Sequence, residues 1–281
     1  MPAMSPNPIV MPEPTRSYVE VANARLYAEQ AGEGEALTML HGFLLDSGQW
    51  DGEFAAFAGS HRVLRYDARG FGRSSLPPSG FAFHEDLAAL LDACGIARTA
   101  LLACSGGAAT ALDFALAWPE RVSALALVGP GYWGVVADRT PEARAFLQAL
   151  GAGDAAAIVE TSLRAFTDGP RRAPQEPDGA ARARIEALSA RQFARMDGYW
   201  RHAGLQRTPQ PSALERLSTL RVPVHVIVGS EDQPEVHALA ERLARGIPGA
   251  RLDIVADAGH HTNIEAPAAV MPLLRAAFGG H

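Results

Sequence analysis

Apolar residues along this chain fall into two alternating patterns. Short apolar runs of four to six residues, bounded by Gly, Pro or charged residues, read as buried strands. Such runs lie near residues 17–21, 25–30, 37–40, 63–66, 100–103, 124–128, 224–228 and 252–255. Between them, apolar positions recur at helical spacing near 85–94, 106–118, 235–245 and 267–278. In the second of these, Ala109, Leu112, Phe114, Ala115 and Leu116 supply the packing face and Pro119 closes the helix. Alternating strands and helices predict an α/β fold, a mostly parallel eight-stranded sheet with helices on both faces. The pattern changes after Gly131. Residues 133–211 show no strand-like alternation, only helix-like stretches at 141–150, 155–166 and 179–196. The expected organisation is a disordered tail at 1–15, a core domain at 16–131 and 212–281, and a helical cap at 132–211.

Composition narrows the function classes. A chain of 281 residues, 48% hydrophobic, can bury one large core. A net charge of −6 gives no electrostatic case for nucleic acid or an anionic membrane. No apolar run approaches the ~18 residues of a membrane span. The first fourteen residues carry five prolines and no basic residue, which argues against a secretory signal. With Cys94 and Cys104 the only cysteines, a disulfide framework is not expected and a cytoplasmic location is. All 25 basic residues are arginine, which excludes Schiff-base lysine chemistry and a Walker A phosphate loop. The nine histidines show no metal-ligand spacing, so no metal and no cofactor are expected. Gly70-Phe71-Gly72 opens no helix and has no ribose-binding acid after it, so a dinucleotide site is rejected.

The candidate chemistry starts at Ser105. The run Leu101-Leu102-Ala103-Cys104 breaks there into Gly106-Gly107-Ala108-Ala109. A buried strand that turns sharply into a small-residue helix throws one hydroxyl outward, the nucleophile elbow, with Ala103 standing where the usual pattern has Gly. Cys104 should point into the core. The Gly106 N–H, at the new helix N-terminus, can face a developing oxyanion. A serine needs a base, and the base a carboxylate. Glu231 and Asp232 follow the 224–228 run, and His260 and His261 follow the 252–255 run. The order Ser…Asp…His is that of α/β-hydrolases.

Five segments carry a resemblance to that family over nearly the whole chain. They are His41-Gly42-Phe43 with Trp50; Val63 to Ser74 with Asp67, Arg69, Gly70 and Gly72; the Ser105 elbow; Gly229 to Asp232; and Gly259-His260 with Glu265 and Pro267. The second segment most resembles the enol-lactonase and small-molecule carboxylesterase branch. The resemblance implies Asp232 rather than Glu231 as the acid and His260 rather than His261 as the base. It also implies Phe43 N–H as second oxyanion donor, and a lid inserted after strand six. His41, Asp67 and Arg69 are expected to be architectural. Leu44, Trp50, Tyr132, Trp133, Phe166, Met196 and Trp200 are expected to line an apolar pocket. The implied activity is hydrolysis of a small-molecule ester or lactone by a monomer or homodimer. Alternatives are a cofactor-free perhydrolase or haloperoxidase, a C–C bond hydrolase, and a slow-turnover receptor.

Overall fold

The computed structural model describes residues 13–76, 79–173, 178–194 and 202–279. Eight strands form one sheet: β1 (Thr15–Val21), β2 (Ala24–Ala31), β3 (Ala36–Leu40), β4 (Arg62–Tyr66), β5 (Thr99–Ser105), β6 (Val122–Pro130), β7 (Val224–Gly229) and β8 (Arg251–Val255). Their spatial order is β1-β2-β4-β3-β5-β6-β7-β8. The β1–β2 and β2–β4 pairs are antiparallel and all others parallel. The α/β expectation therefore holds, with an antiparallel hairpin at one edge. That edge is visible in composition: β1 reads TRSYVEV and alternates toward solvent, whereas β5 and β7 are buried almost throughout. Strands covered on both faces read as continuous apolar runs, and half-covered ones alternate.

The helices are α1 (Asp51–Phe57), α2 (Phe83–Ala93), α3 (Gly106–Ala117), α4 (Pro141–Ala152), α5 (Ala155–Ser162), α6 (Gly179–Phe193), α7 (Pro234–Gly246), α8 (Thr262–Glu265) and α9 (Pro267–Phe278). On one face of the sheet, α2, α3 and α7 enclose an apolar core that includes Leu101, Leu112, Phe114, Val226 and Leu243. On the other, α1 and α9 enclose Met39, Trp50, Phe54, Leu102 and Val270. Helix α3 is buried along almost its whole length, which explains its all-round small and apolar sequence. In α7, Val236, Leu239, Ala240 and Leu243 face inward while Glu241 and Arg242 face out.

Helices α4 to α6 fall between β6 and β7 and share a third apolar cluster with Leu44 and Leu45 of the β3–α1 loop. Their starts are set by side-chain caps: Thr140, Asp154 and Asp178 accept from Ala143, Ala157 and Ala180 N–H groups. The expected helix at 155–166 does not run through. It stops at Ser162 and continues as a π-helical turn, Leu163–Asp168. Helix α6 ends at Phe193 with Ala194 as its C-cap, and positions 195–196 of the expected 179–196 stretch lie outside the described residues. Helix α1 has no counterpart in the sequence reading, because seven residues are too few for the periodicity to register.

Candidate active site

Strand β5 ends on Ser105 and α3 starts on the next residue. Ser105 has φ 51° and ψ −119°, a backbone conformation costly for any non-glycine residue. Small neighbours make the turn possible. A Cβ on Gly107 would stand 2.5 Å from Leu40 O, and one on Gly131 would stand 3.0 Å from Ser105 C. Ala103 is wholly buried opposite Leu127 of β6, so a methyl group fits at the elbow's first small position. Cys104 is buried on the other side of the sheet, and its thiol is pushed up to about 12 by burial.

Asp232 lies in the loop after β7 and His260 in the loop after β8. The two side chains meet at 2.8 Å, His260 Nδ1–H donating to Asp232 Oδ2, and both are buried. Asp232 Oδ1 accepts from Gln233 N at 2.7 Å. Gly129 passes beneath the pair at φ 48°, where a Cβ would be 2.5 Å from His260 O. Burial opposes a charged imidazole at His260, but the Asp232 carboxylate outweighs it, with Glu265 adding, and the pKa moves up. The adjacent His261 is also buried, has no partner at Nδ1 and is held neutral by burial and by His260. Glu231, the rival acid, binds Arg171 at the surface. His260 and Asp232 are thus the pair that meets.

The Gly42-Phe43 loop approaches the elbow from β3. Gly42 O accepts from His41 Nδ1–H at 2.9 Å and from Leu45 N at 3.0 Å. His41 Nε2 accepts from Ala68 N, which fixes the ring's tautomer. In a trans peptide C=O and N–H point opposite ways, so anchoring Gly42 O fixes the direction of the Phe43 N–H. The Phe43 ring lies on Gly106, where a Cβ would come within 2.6 Å of it. Asp67 accepts from Ser47 and Arg73 N–H groups, and Arg69 forms a buried two-point ion pair with Asp86. Both are architectural in the structure, as the sequence suggests.

Ser105 and His260 share a cavity of about 240 Å³. Leu44 and Phe166 line it, together with Phe43. Three other expected wall residues do not. Trp50 is wholly buried among Met39, Phe54 and Leu102 on the far side of the sheet. Tyr132 and Trp133 are turned toward α3, where Tyr132 OH and Trp133 Nε1 both donate to Asp113. Met196 and Trp200 lie outside the described residues. The wall has members that the sequence reading missed: Val135 and Val136, Phe146 and Leu147 of α4, and Glu235 and Leu239 of α7. The only available signal was the apolar face of α7, which reads equally as core. Glu235 Oε1 accepts from Asp138 and Arg139 N–H groups.

The helices between β6 and β7 are tied to the His260 loop. His260 N donates to Phe166 O at 2.8 Å, inside the π-helical turn. Arg172 bonds Glu265 at 2.9 Å, and the same carboxylate accepts from Gly259 N. Burial pushes the Glu265 carboxyl up to about 7. Gln233 Oε1 accepts from Thr140, and its amide nitrogen donates to Ala165 O. Among the described residues, no group of His, Cys, Asp and Glu could hold a metal ion. No described helix is long and apolar enough to cross a membrane.

A 2-hydroxy-6-oxo-6-phenylhexa-2,4-dienoate hydrolase of Comamonas testosteroni is 29% identical over 255 residues, covering 86% of each chain. The structure of Est816, an N-acyl homoserine lactone degrading enzyme, superposes with a TM-score of 0.74 at 26% identity, covering 92% of this chain and 99% of that one. The enol-lactonase of Burkholderia xenovorans LB400 shares the fold with a TM-score of 0.76 at 22% identity, covering 94% and 100%. The family model described as the alpha/beta hydrolase fold matches residues 35–267, and the chain belongs to that family of hydrolases.

Proposed function

We propose that the protein is a serine hydrolase of carboxylic esters or lactones, with Ser105 as nucleophile, His260 as base and Asp232 as orienting acid. The observation that carries this reading is the buried His260–Asp232 pair at 2.8 Å, whose histidine shares a cavity with a serine held at φ 51°. Ser105 Oγ attacks the carbonyl carbon while His260 Nε2 takes its proton. The Nδ1–H bond to Asp232 holds the tautomer that leaves Nε2 free to accept. The Phe43 and Gly106 N–H groups receive the charge that develops on the carbonyl oxygen. Collapse of the tetrahedral species passes the proton from His260 to the leaving alkoxide. Water then repeats the sequence and releases the acid. In a lactone the protonated leaving oxygen stays tethered to the acyl group, and water cleaves the acyl–Ser105 bond to release a single hydroxy acid.

In this reading the described residues of the 132–211 cap supply much of the cavity's apolar wall, through Val135, Val136, Phe146, Leu147, Leu150 and Phe166. The relative from Comamonas testosteroni acts, by its name, on a dienoate, which carries a carboxylate. In this cavity the acidic lining residue is Glu235, and His260 is the one basic residue among the described lining residues. An uncharged ester or lactone fits that wall better than an anion. The test is turnover of p-nitrophenyl esters and lactones of graded size, beside a 2-hydroxy-6-oxodienoate. The expected result is ester or lactone hydrolysis that falls by roughly 10³-fold or more in Ser105→Ala. Faster turnover of the dienoate would move the assignment to C–C bond hydrolysis, and near-normal ester turnover by the variant would overturn it.

A further inference from the structure

A buried polar chain runs beneath the Gly42-Phe43 loop and belongs to no step of the mechanism above. Gln49 lies in the 3-10 turn Ser47–Trp50 just before α1, fully buried, and its Oε1 accepts from Gly42 N at 2.8 Å. A Cβ on Gly42 would stand 3.4 Å from Ser105 Cβ and 3.6 Å from Gln49 Oε1. The Gln49 amide therefore lies against the same loop that flanks the nucleophile. Its Nε2 donates to Asn263 Oδ1 at 3.2 Å. Asn263 Nδ2 in turn donates to Gln49 O and to Glu53 Oε2, both at 3.3 Å. Asn263 sits in α8, three residues beyond His260.

The orientation of both amides is dictated by backbone groups. Gly42 N–H can only donate, so the Gln49 oxygen must face it. That turns the Gln49 nitrogen to the Asn263 oxygen and the Asn263 nitrogen to Gln49 O, which can only accept. Every polar end matches without a flip. Buried polar groups like these add little net stability over an apolar filling of the same shape. What they supply is direction, because hydrogen bonds fix orientation as apolar contacts do not. Burial pushes the Glu53 carboxyl up to about 7, and it closes the chain as an acceptor for Asn263.

We infer that Gln49 and Asn263 are positioning residues that lock the oxyanion loop at Gly42-Phe43 to the loop bearing His260. The inference rests on the serine-hydrolase reading. It requires both halves of the machinery to keep one relative geometry while the cap side of the cavity adapts to substrate.

The test is steady-state kinetics on a p-nitrophenyl ester with Gln49→Met, Asn263→Leu and the double variant, together with inhibition by an alkylboronic acid that mimics the tetrahedral species. Misplaced donors cost transition-state binding and leave ground-state binding alone, so kcat should fall about 10- to 100-fold with KM within about threefold. Boronate affinity should fall in parallel with kcat, and the double variant should be no worse than the worse single one. If Asn263→Leu does not fold, Asn263→Asp, which keeps Oδ1 but lacks the Nδ2 donor, replaces it. Variants within about twofold of wild type in kcat, or losses that track only the fraction of folded protein, overturn the inference and leave the hydrolase reading intact. Wild-type protein that turns over no ester and takes no fluorophosphonate overturns the hydrolase reading, and the inference with it.

Discussion

The cavity has two sides made by different means. On the strand-end side, Ser105, Asp232 and His260 leave β5, β7 and β8 through turns where backbone atoms almost touch. A Cβ on Gly129, Gly107 or Gly229 would stand 2.5 Å or less from a neighbouring carbonyl oxygen. On the helix side, Phe146, Leu147 and Phe166 meet the cavity through apolar side chains on α4 and the π-helical turn. Hydrogen bonds and strained backbone define one side, and volume defines the other. Single-atom changes should be severe on the first and graded on the second.

Breaking the strand-end side at its acid should have a large effect after loss of the nucleophile itself. Asp232→Asn should lower kcat/KM by roughly 10²-fold or more, since it removes the group that sets the His260 tautomer. The same variant sharpens the electrostatic account. His260 must be neutral to accept a proton, so activity is lost as pH falls through its pKa. Asp232 raises that pKa against the effect of burial. The acidic limb of the wild-type profile should therefore lie above the ordinary histidine value of about 6.5, and it should move to lower pH in the variant. A limb that stays in place would show that another group controls it.

Gly129→Ala tests the backbone beneath the same pair, its methyl position standing 3.1 Å from His260 Nδ1 and 3.4 Å from Asp232 Oδ2. At φ 48°, with His260 O 2.5 Å from the new methyl position, the substitution combines left-handed strain with a clash. Urea denaturation should show a loss of about 2 kcal/mol or more. The helix side should respond more mildly. Leu147→Ala enlarges the cavity wall on α4. It should shift preference toward longer acyl chains by about tenfold in relative kcat/KM, with little change in kcat for an acetyl ester. A collapse of activity on every chain length would mean that the two sides are not separable in this way.

The contrast also explains what could be read from sequence. Ser105 and Asp232 stand out because each follows a buried apolar strand, with small residues around Ser105, and His260 because Gly259 precedes it in the loop after the short strand β8. The parallel strands β5 and β7 read clearly because they are buried on both faces and apolar along most of their length. The wall residues were harder, since an apolar side chain gives the same signal whether it faces a cavity or a core. Trp50 illustrates this, reading as a pocket aromatic and lying wholly buried beneath the sheet. Tyr132 and Trp133 follow β6 as expected, but Asp113 of α3 captures both polar tips. The Gln49–Asn263 link joins residues 214 positions apart, and no local pattern marks such a pair.

The most direct measurement is fluorophosphonate labelling followed by peptide mass mapping, on wild type, Ser105→Ala and His260→Ala. Stoichiometric modification of the Ser105 peptide in wild type, absent in Ser105→Ala and slowed about 10²-fold or more in His260→Ala, is the result that the account predicts. Wild-type protein that stays folded yet carries no adduct on Ser105, or a His260→Ala variant labelled as fast as wild type, would contradict it.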